Sequence, residues 1–170
     1  MMSRPRALAT TAALALSLTA CGTSAGAGST GSDGGGDSVT VEHAMGSTEV
    51  PCTPTKVVTL GQGQTDSVLA LGVTPVGVVE PWTDDWYEYL PRDVEEAEVV
   101  GTELEPDLEK IASLQPDLIV GSKLRHEAVY DKLSKIAPTV FSETIGVTWK
   151  ENVSLWAEAL CAPEEGKQIV

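Results

Sequence analysis

Glu105-Pro106-Asp107-Leu108-Glu109-Lys110-Ile111-Ala112-Ser113-Leu114-Gln115-Pro116-Asp117-Leu118-Ile119-Val120-Gly121-Ser122 reads as a short helix followed at once by a buried strand. Leu108, Ile111 and Leu114 recur every third residue and form one apolar stripe, with Glu109 and Lys110 outside it. Asp107 has the side chain of an N-cap, and Pro116, which has no N–H to donate, stops the helix. Leu118-Ile119-Val120 is an unbroken apolar run, the pattern of a parallel strand covered on both faces. Gly121-Ser122 then opens a loop at the strand's carboxyl end, where open α/β sheets place their ligands.

The same alternation extends outward in both directions. Val39-Thr40-Val41-Glu42-His43 alternates like a leading edge strand, with Gly46 marking a turn. Further strands are expected at 56–60, 76–79, 98–100 and 139–141. Helices are expected at 66–71, ended by Gly72, at 82–90 before Pro91, at 125–136, at 149–160 and from 164 onward. In the later helices Val129, Leu133 and Ile136 face inward, as do Val153, Trp156 and Leu160. Strand–helix alternation of this kind gives an α/β fold with a parallel sheet and right-handed crossovers. About 130 residues are enough for one such core.

The residues before this unit differ in character. Arg4 and Arg6 precede an apolar run at 12–18, too short for a bilayer, as in a secretory signal. That run ends in Leu18-Thr19-Ala20-Cys21, which resembles the lipobox of bacterial lipoproteins and implies a lipidated Cys21. Residues 22–38 are nearly all Gly, Ser, Ala and Thr, a flexible tether spanning about 20–25 Å r.m.s.. The chain thus divides into a signal at 1–21, a tether at 22–38, an α/β lobe at 39–162 and the start of a helix at 163–170. Localisation is expected to be extracytoplasmic, at a membrane held through lipid.

The formal charge is −14. Without Arg4 and Arg6, nine basic residues face 25 acidic ones, giving −16. Such a surface repels nucleic acid and anionic lipid, so no nucleic-acid partner is expected. Cys52 and Cys161 remain after processing, and outside the cytoplasm such a pair is expected to form a disulfide. A protein-held metal is not expected, because only His43 and His126 could join the cysteines, at no ligand spacing.

Gly61-Gln62-Gly63-Gln64-Thr65-Asp66 imitates a dinucleotide fingerprint, but Asp66 replaces the glycine needed for close helix–strand packing. It reads better as a tight turn exposing Gln62 and Gln64. No Gly-x-Ser-x-Gly elbow is present and His126 has no evident serine partner, so catalysis and a cofactor are not expected. The loops after the strands carry Gln62 and Gln64, then Trp82 and Trp86, then Lys123, Arg125 and His126, and finally residues 144–149. Aromatic faces and cations in an acidic protein suit an anionic, partly apolar small molecule. For Arg125 an ion pair with a neighbouring acid is an equal alternative. His126 alone is more often structural, and Trp149 and Trp156 read as core.

Thr48-Glu49-Val50-Pro51, Pro54-Thr55-Lys56-Val57-Val58-Thr59-Leu60 and Leu69-Ala70-Leu71-Gly72-Val73-Thr74-Pro75-Val76-Gly77-Val78 resemble the start of class III substrate-binding proteins of ABC importers. Leu108-Glu109-Lys110-Ile111 and Gln115-Pro116-Asp117-Leu118-Ile119 continue the likeness. Gly121-Ser122-Lys123-Leu124-Arg125-His126-Glu127, with Tyr130-Asp131-Lys132-Leu133 and Ala137-Pro138-Thr139-Val140-Phe141, is similar to the iron–siderophore branch, particularly carriers of hydroxamate or citrate-type siderophores. The likeness covers residues 45–170.

The resemblance implies two α/β lobes joined by a long helix, with the ferric siderophore between them and its iron held by the siderophore. Residues 163–170 match the start of that helix, so the second lobe is expected outside this chain, and this piece alone is expected to bind weakly or not at all. Arg125 matches the family's cleft arginine, with His126 beside it and Trp82 and the Gln62 loop on the same side. Glu109 matches the acid that docks onto the permease. The disulfide is not implied by the family. A cobalamin or haem carrier shares the fold, and a nucleotide-binding Rossmann-type domain is the remaining alternative.

Overall fold

The structure, a computed structural model, describes residues 37–83 and 85–170. The signal, Cys21 and the tether up to residue 36 lie outside the described residues. No helix among the described residues is long and apolar enough to cross a membrane.

The domain begins with an antiparallel hairpin of β1 (Ser38–His43) and β2 (Gly46–Pro51). Gly46 sits at φ +121°, a backbone that glycine adopts without strain. The second hairpin strand is not apparent in the sequence, because only Val50 of Gly46–Pro51 is buried and no alternation announces it. The hairpin packs beside the last strand of the main sheet. Ala44 N–H donates to Phe141 O at 3.0 Å, and Thr48 Oγ1 donates to Thr139 O at 3.1 Å. These contacts cover an edge that would otherwise expose unpaired backbone groups.

The main sheet is wholly parallel. Along the chain it is built from β3 (Val57–Thr59), α1 (Gln62–Ala70), β4 (Gly77–Val78), α2 (Arg92–Glu95), β5 (Glu98–Val99), α3 (Leu108–Leu114) and β6 (Leu118–Ser122). Then come α4 (Lys123–His126), a 3-10 turn at Glu127–Val129, α5 (Tyr130–Leu133), β7 (Thr139–Ser142), α6 (Trp149–Ala159) and α7 (Pro163–Ile169). The spatial order is β5-β4-β3-β6-β7. Successive residues of a strand point to opposite faces, and the core divides accordingly. Val57, Leu118, Val120 and Val140 join Val41, Val68 and Trp156 on one face. Val58, Ile119 and Phe141 join Leu60, Ile111 and Leu133 on the other.

The helix and strand of residues 105–122 form as their pattern dictates. Asp107 Oδ1 accepts from the N–H groups of Glu109 and Lys110 at 3.0 and 3.1 Å, the bonds that an N-cap supplies. Gln115 takes a left-handed conformation (φ 51°, ψ 58°) and ends α3 one residue before Pro116. The strand, however, does not stop at Val120. Gly121 and Ser122 still pair with Phe141 and Ser142. A Cβ at Gly121 would lie 2.8 Å from Phe141 Cε1 and 3.0 Å from His126 Nδ1, so glycine there admits close packing rather than a loop.

Three other expectations are corrected. The helix foreseen at 82–90 is absent among the described residues of that segment. Thr83 Oγ1 instead donates to Asp85 O at 2.7 Å, a local bond that competes with helix formation. Trp86 and Tyr87 pack there against Val78, Leu90 and Val94. Helix α1 begins four residues earlier than expected, because its first turn buries the polar Gln64 and Thr65, which give no apolar periodicity. The helix foreseen at 125–136 breaks into three short pieces. His126 (φ −121°, ψ 7°) leaves helical geometry because its ring is fixed in the core.

Candidate functional site

The chain leaves β3 toward β4 and β5, then returns to build β6 and β7 on the opposite side of β3. The order therefore reverses between β3 and β6, and α/β sheets bind ligands outside the carboxyl ends of strands at such a point. The residues that follow β3 begin α1, and those that follow β6 form α4. Between them lies a cavity of about 450 Å³.

One wall is the first turn of α1, with Gln62, Gly63 and Gln64 lining the cavity. Gly61 precedes the helix without a side-chain cap, so the first N–H groups lack intrahelical partners. Gln64, expected from the sequence to be exposed by this turn, is instead buried at 4% exposure, because the first turn of α1 folds it inward. Gln62 Nε2 donates to Asp66 Oδ1 at 3.2 Å, and the Tyr89 hydroxyl donates to the same carboxylate at 3.2 Å. Slight desolvation and then the Asp66 charge raise the Tyr89 pKa above its usual value, although the side chain is largely exposed.

A second wall joins three loops. Trp82 is 62% exposed, and its Nε1–H donates to Glu103 Oε2 at 2.9 Å. Arg125 Nε lies 3.4 Å from Glu103 Oε1, and its Cζ lies 5.7 Å from the centre of the Trp82 ring. One nearly buried carboxylate thus holds both an indole and a guanidinium. The lining is completed by Ile145, Gly146 and the Trp149, Asn152, Val153 and Trp156 positions of α6. Asn152 Nδ2 donates to Thr144 O at 2.9 Å and fixes the loop before α6.

Of the residues singled out from sequence, the cavity gathers Gln62, Gln64, Trp82 and Arg125. Trp86, Lys123 and His126 do not line it. Trp86 packs on the small cluster around Val78, while Lys123 turns to Glu143 at 3.3 Å. His126 is buried, accepting from Ser122 N–H at Nδ1 (3.1 Å) and donating from Nε2 to Glu103 O (2.8 Å). Its ring ties β6 to the loop that carries Glu103. Trp149, read as core from sequence, is half exposed at the cavity mouth, whereas Trp156 is both core and cavity floor. Glu109 is exposed in the first turn of α3, outside the lining. Glu103, Asp66 and Asn152 were missed by the sequence reading. Glu103 alone had a signal, lying just past the carboxyl end of β5.

His43 resembles His126 in being neutral by construction. Its Nδ1 accepts from the Met45 and Phe141 N–H groups at 3.3 Å, and its Nε2 meets Thr48 Oγ1 at 2.9 Å. Burial lowers both histidine pKa values from 6.5. The unfolded chain therefore takes up more protons once pH falls below 6.5, and stability falls with it down through the folded values. The melting temperature is expected to drop as pH is lowered from about 7 to about 5, and to drop less in the double variant His43→Gln, His126→Gln. An equal pH slope in both proteins would contradict this.

No group of three or more His, Cys, Asp or Glu side chains among the described residues could hold a metal ion. The Ser67 hydroxyl in the lining is spent on Gly63 O at 2.6 Å. The lining offers backbone and amide donors, aromatic faces and one ion pair, the equipment of a binding surface.

Residues 57–170 match the profile of the periplasmic binding protein family. The "Probable siderophore-binding lipoprotein YfiY" of Bacillus subtilis is 46% identical over 133 residues, which are 77% of this chain and 41% of that protein. The Fe(3+)-citrate-binding protein YfmC of Bacillus subtilis is 35% identical over 156 residues, 90% of this chain and 50% of its own. Among solved structures, Staphylococcus aureus SirA complexed with staphyloferrin B superposes with a TM-score of 0.73 at 47% identity, over 77% of this chain and 45% of SirA. The chain thus spans half or less of the length of these relatives. With its parallel five-stranded sheet and a site at the β3–β6 switch, the chain belongs to the periplasmic binding protein family, with the class III fold of its siderophore-binding members.

Proposed function

We propose that this chain forms one wall of a substrate-binding component of an ABC importer, and captures a ferric siderophore of the citrate or hydroxamate type for iron uptake. The observation that carries this reading is the cavity at the switch point, whose lining brings together Trp82, Trp149, Arg125 and the Gln62 and Gln64 side chains of α1. Its volume falls within the range of small-molecule sites, and its aromatic faces suit the apolar flanks of a chelate. The iron is cargo and stays bound to the siderophore, so the protein supplies shape and hydrogen bonds rather than metal ligands. No turnover is expected.

The same reading gives the remaining parts their roles. Cys21 would carry the lipid that holds the protein on the outer side of the cell membrane, on the tether of residues 22–38. Glu109, exposed on α3, would meet the permease. The relatives named for siderophore and ferric-citrate binding support the ligand class. Titration of the chain with ferric citrate and ferric trihydroxamates is expected to quench tryptophan fluorescence saturably, since Trp82, Trp149 and Trp156 line the cavity. Absence of saturable quenching with every complex would refute capture by this wall of the cleft.

A further inference from the structure

Glu103 is the feature of the cavity that neither the sequence reading nor the binding role accounts for. It is 9% exposed, yet it lies in the lining beside Arg125, the only guanidinium there among the described residues. Its main chain is pinned from below by His126 Nε2 at 2.8 Å, and its carboxylate holds Trp82 Nε1–H at 2.9 Å. Arg125 Nε sits 3.4 Å away without a hydrogen bond, so the contact is one of charge. The nearest part of α1 is also close. Glu103 Cδ would lie 3.4 Å from a Cβ on Gly61, which places its negative charge at the helix N-terminus. Both positive features of this part of the cavity, guanidinium and helix terminus, already face an internal anion.

Asp66 adds a second carboxylate to the lining, held by Tyr89 and Gln62 and, among the described residues, by no cation. Lys123 does not compensate, because it turns to Glu143. Two carboxylates against one guanidinium leave the wall formally at −1. We propose that Glu103 is the specificity-determining residue of this cavity: its carboxylate neutralises Arg125 and limits the negative charge a bound complex can bring, favouring neutral or cationic siderophore complexes over polyanionic ones. This rests on the siderophore-binding reading and narrows it. A polyanionic complex meets Glu103 as a like charge in a partly desolvated site, where repulsion is far stronger than in water.

Gallium(III) in place of iron keeps the complexes diamagnetic, and NMR titration of the full chain compares gallium citrate with a neutral gallium trihydroxamate. Glu103→Gln keeps an acceptor for Trp82 and removes the charge, and Glu103→Ala removes both. Each is expected to raise the affinity ratio, citrate over trihydroxamate, about tenfold at low salt. Glu103→Asp, which keeps the charge, is expected to keep the wild-type ratio. Equal loss of affinity for both complexes in all three variants would overturn the proposal and leave Glu103 a brace for Trp82. Failure of the unaltered chain to bind either complex would instead refute the siderophore reading, and the charge preference with it.

Discussion

Replacing Cys52 and Cys161 together by serine is expected to lower the free energy of unfolding by about 4 to 5 kcal/mol, read as a fall in the urea midpoint. The bridge joins residues 109 apart, with Cα atoms 5.3 Å from each other. Closing so long a loop removes much of the unfolded chain's freedom, the main source of stabilisation in the chain-entropy account. It also links the end of the hairpin, just past β2, to the end of α6, the helix that carries the far wall of the cavity. Cys161 sits at φ 53°, a left-handed conformation that costs a non-glycine residue about 1 kcal/mol. The variant Cys52→Ser, Cys161→Gly is therefore expected to be about 1 kcal/mol more stable than the double serine. A loss below about 1 kcal/mol in the double serine would mean that the bridge constrains little.

Trp156→Ala is expected to cost about 3 to 5 kcal/mol, the range for truncating a buried tryptophan. Trp156 is 1% exposed and packs in the layer with Val68, Leu118, Val120 and Val140, against the sheet beneath the cavity. Against a typical total of about 5 to 15 kcal/mol, such a loss brings the chain near unfolding at room temperature. Trp156→Phe keeps most of the apolar contact and is expected to cost less than half as much. Near-equal midpoints for Trp156→Ala and the unaltered chain would show that α6 is not anchored through this side chain.

The fold was legible wherever local signals agreed. In residues 105–122 the Asp107 cap, the Leu108–Ile111–Leu114 stripe and the apolar run of β6 all favour the same answer, and the structure adopts it. Reading failed where a tertiary contact overrode the local pattern. The His126 ring breaks the helix foreseen at 125–136, and a buried polar turn hides the start of α1. At the site, position at a strand's carboxyl end was a good guide to Gln62, Gln64, Trp82 and Arg125. It was a poor guide to direction. Successive helical residues point about 100° apart, so within the single turn Lys123–His126 Arg125 enters the cavity, His126 the core, and Lys123 turns away to Glu143. Glu103 stayed hidden because it is one of 25 acids after a two-residue strand.

The central claim is that a siderophore complex seats against the wall formed by α1, Trp82, Arg125 and α6. The most direct test is NMR of the chain labelled at its tryptophan indoles and glutamine amides, titrated with a gallium siderophore complex. The account predicts that the Trp82 and Trp149 indole signals and the Gln62 and Gln64 amide signals shift together and saturate, while Trp86, outside the cavity, stays in place. Saturable shifts elsewhere with these four signals unmoved would contradict it.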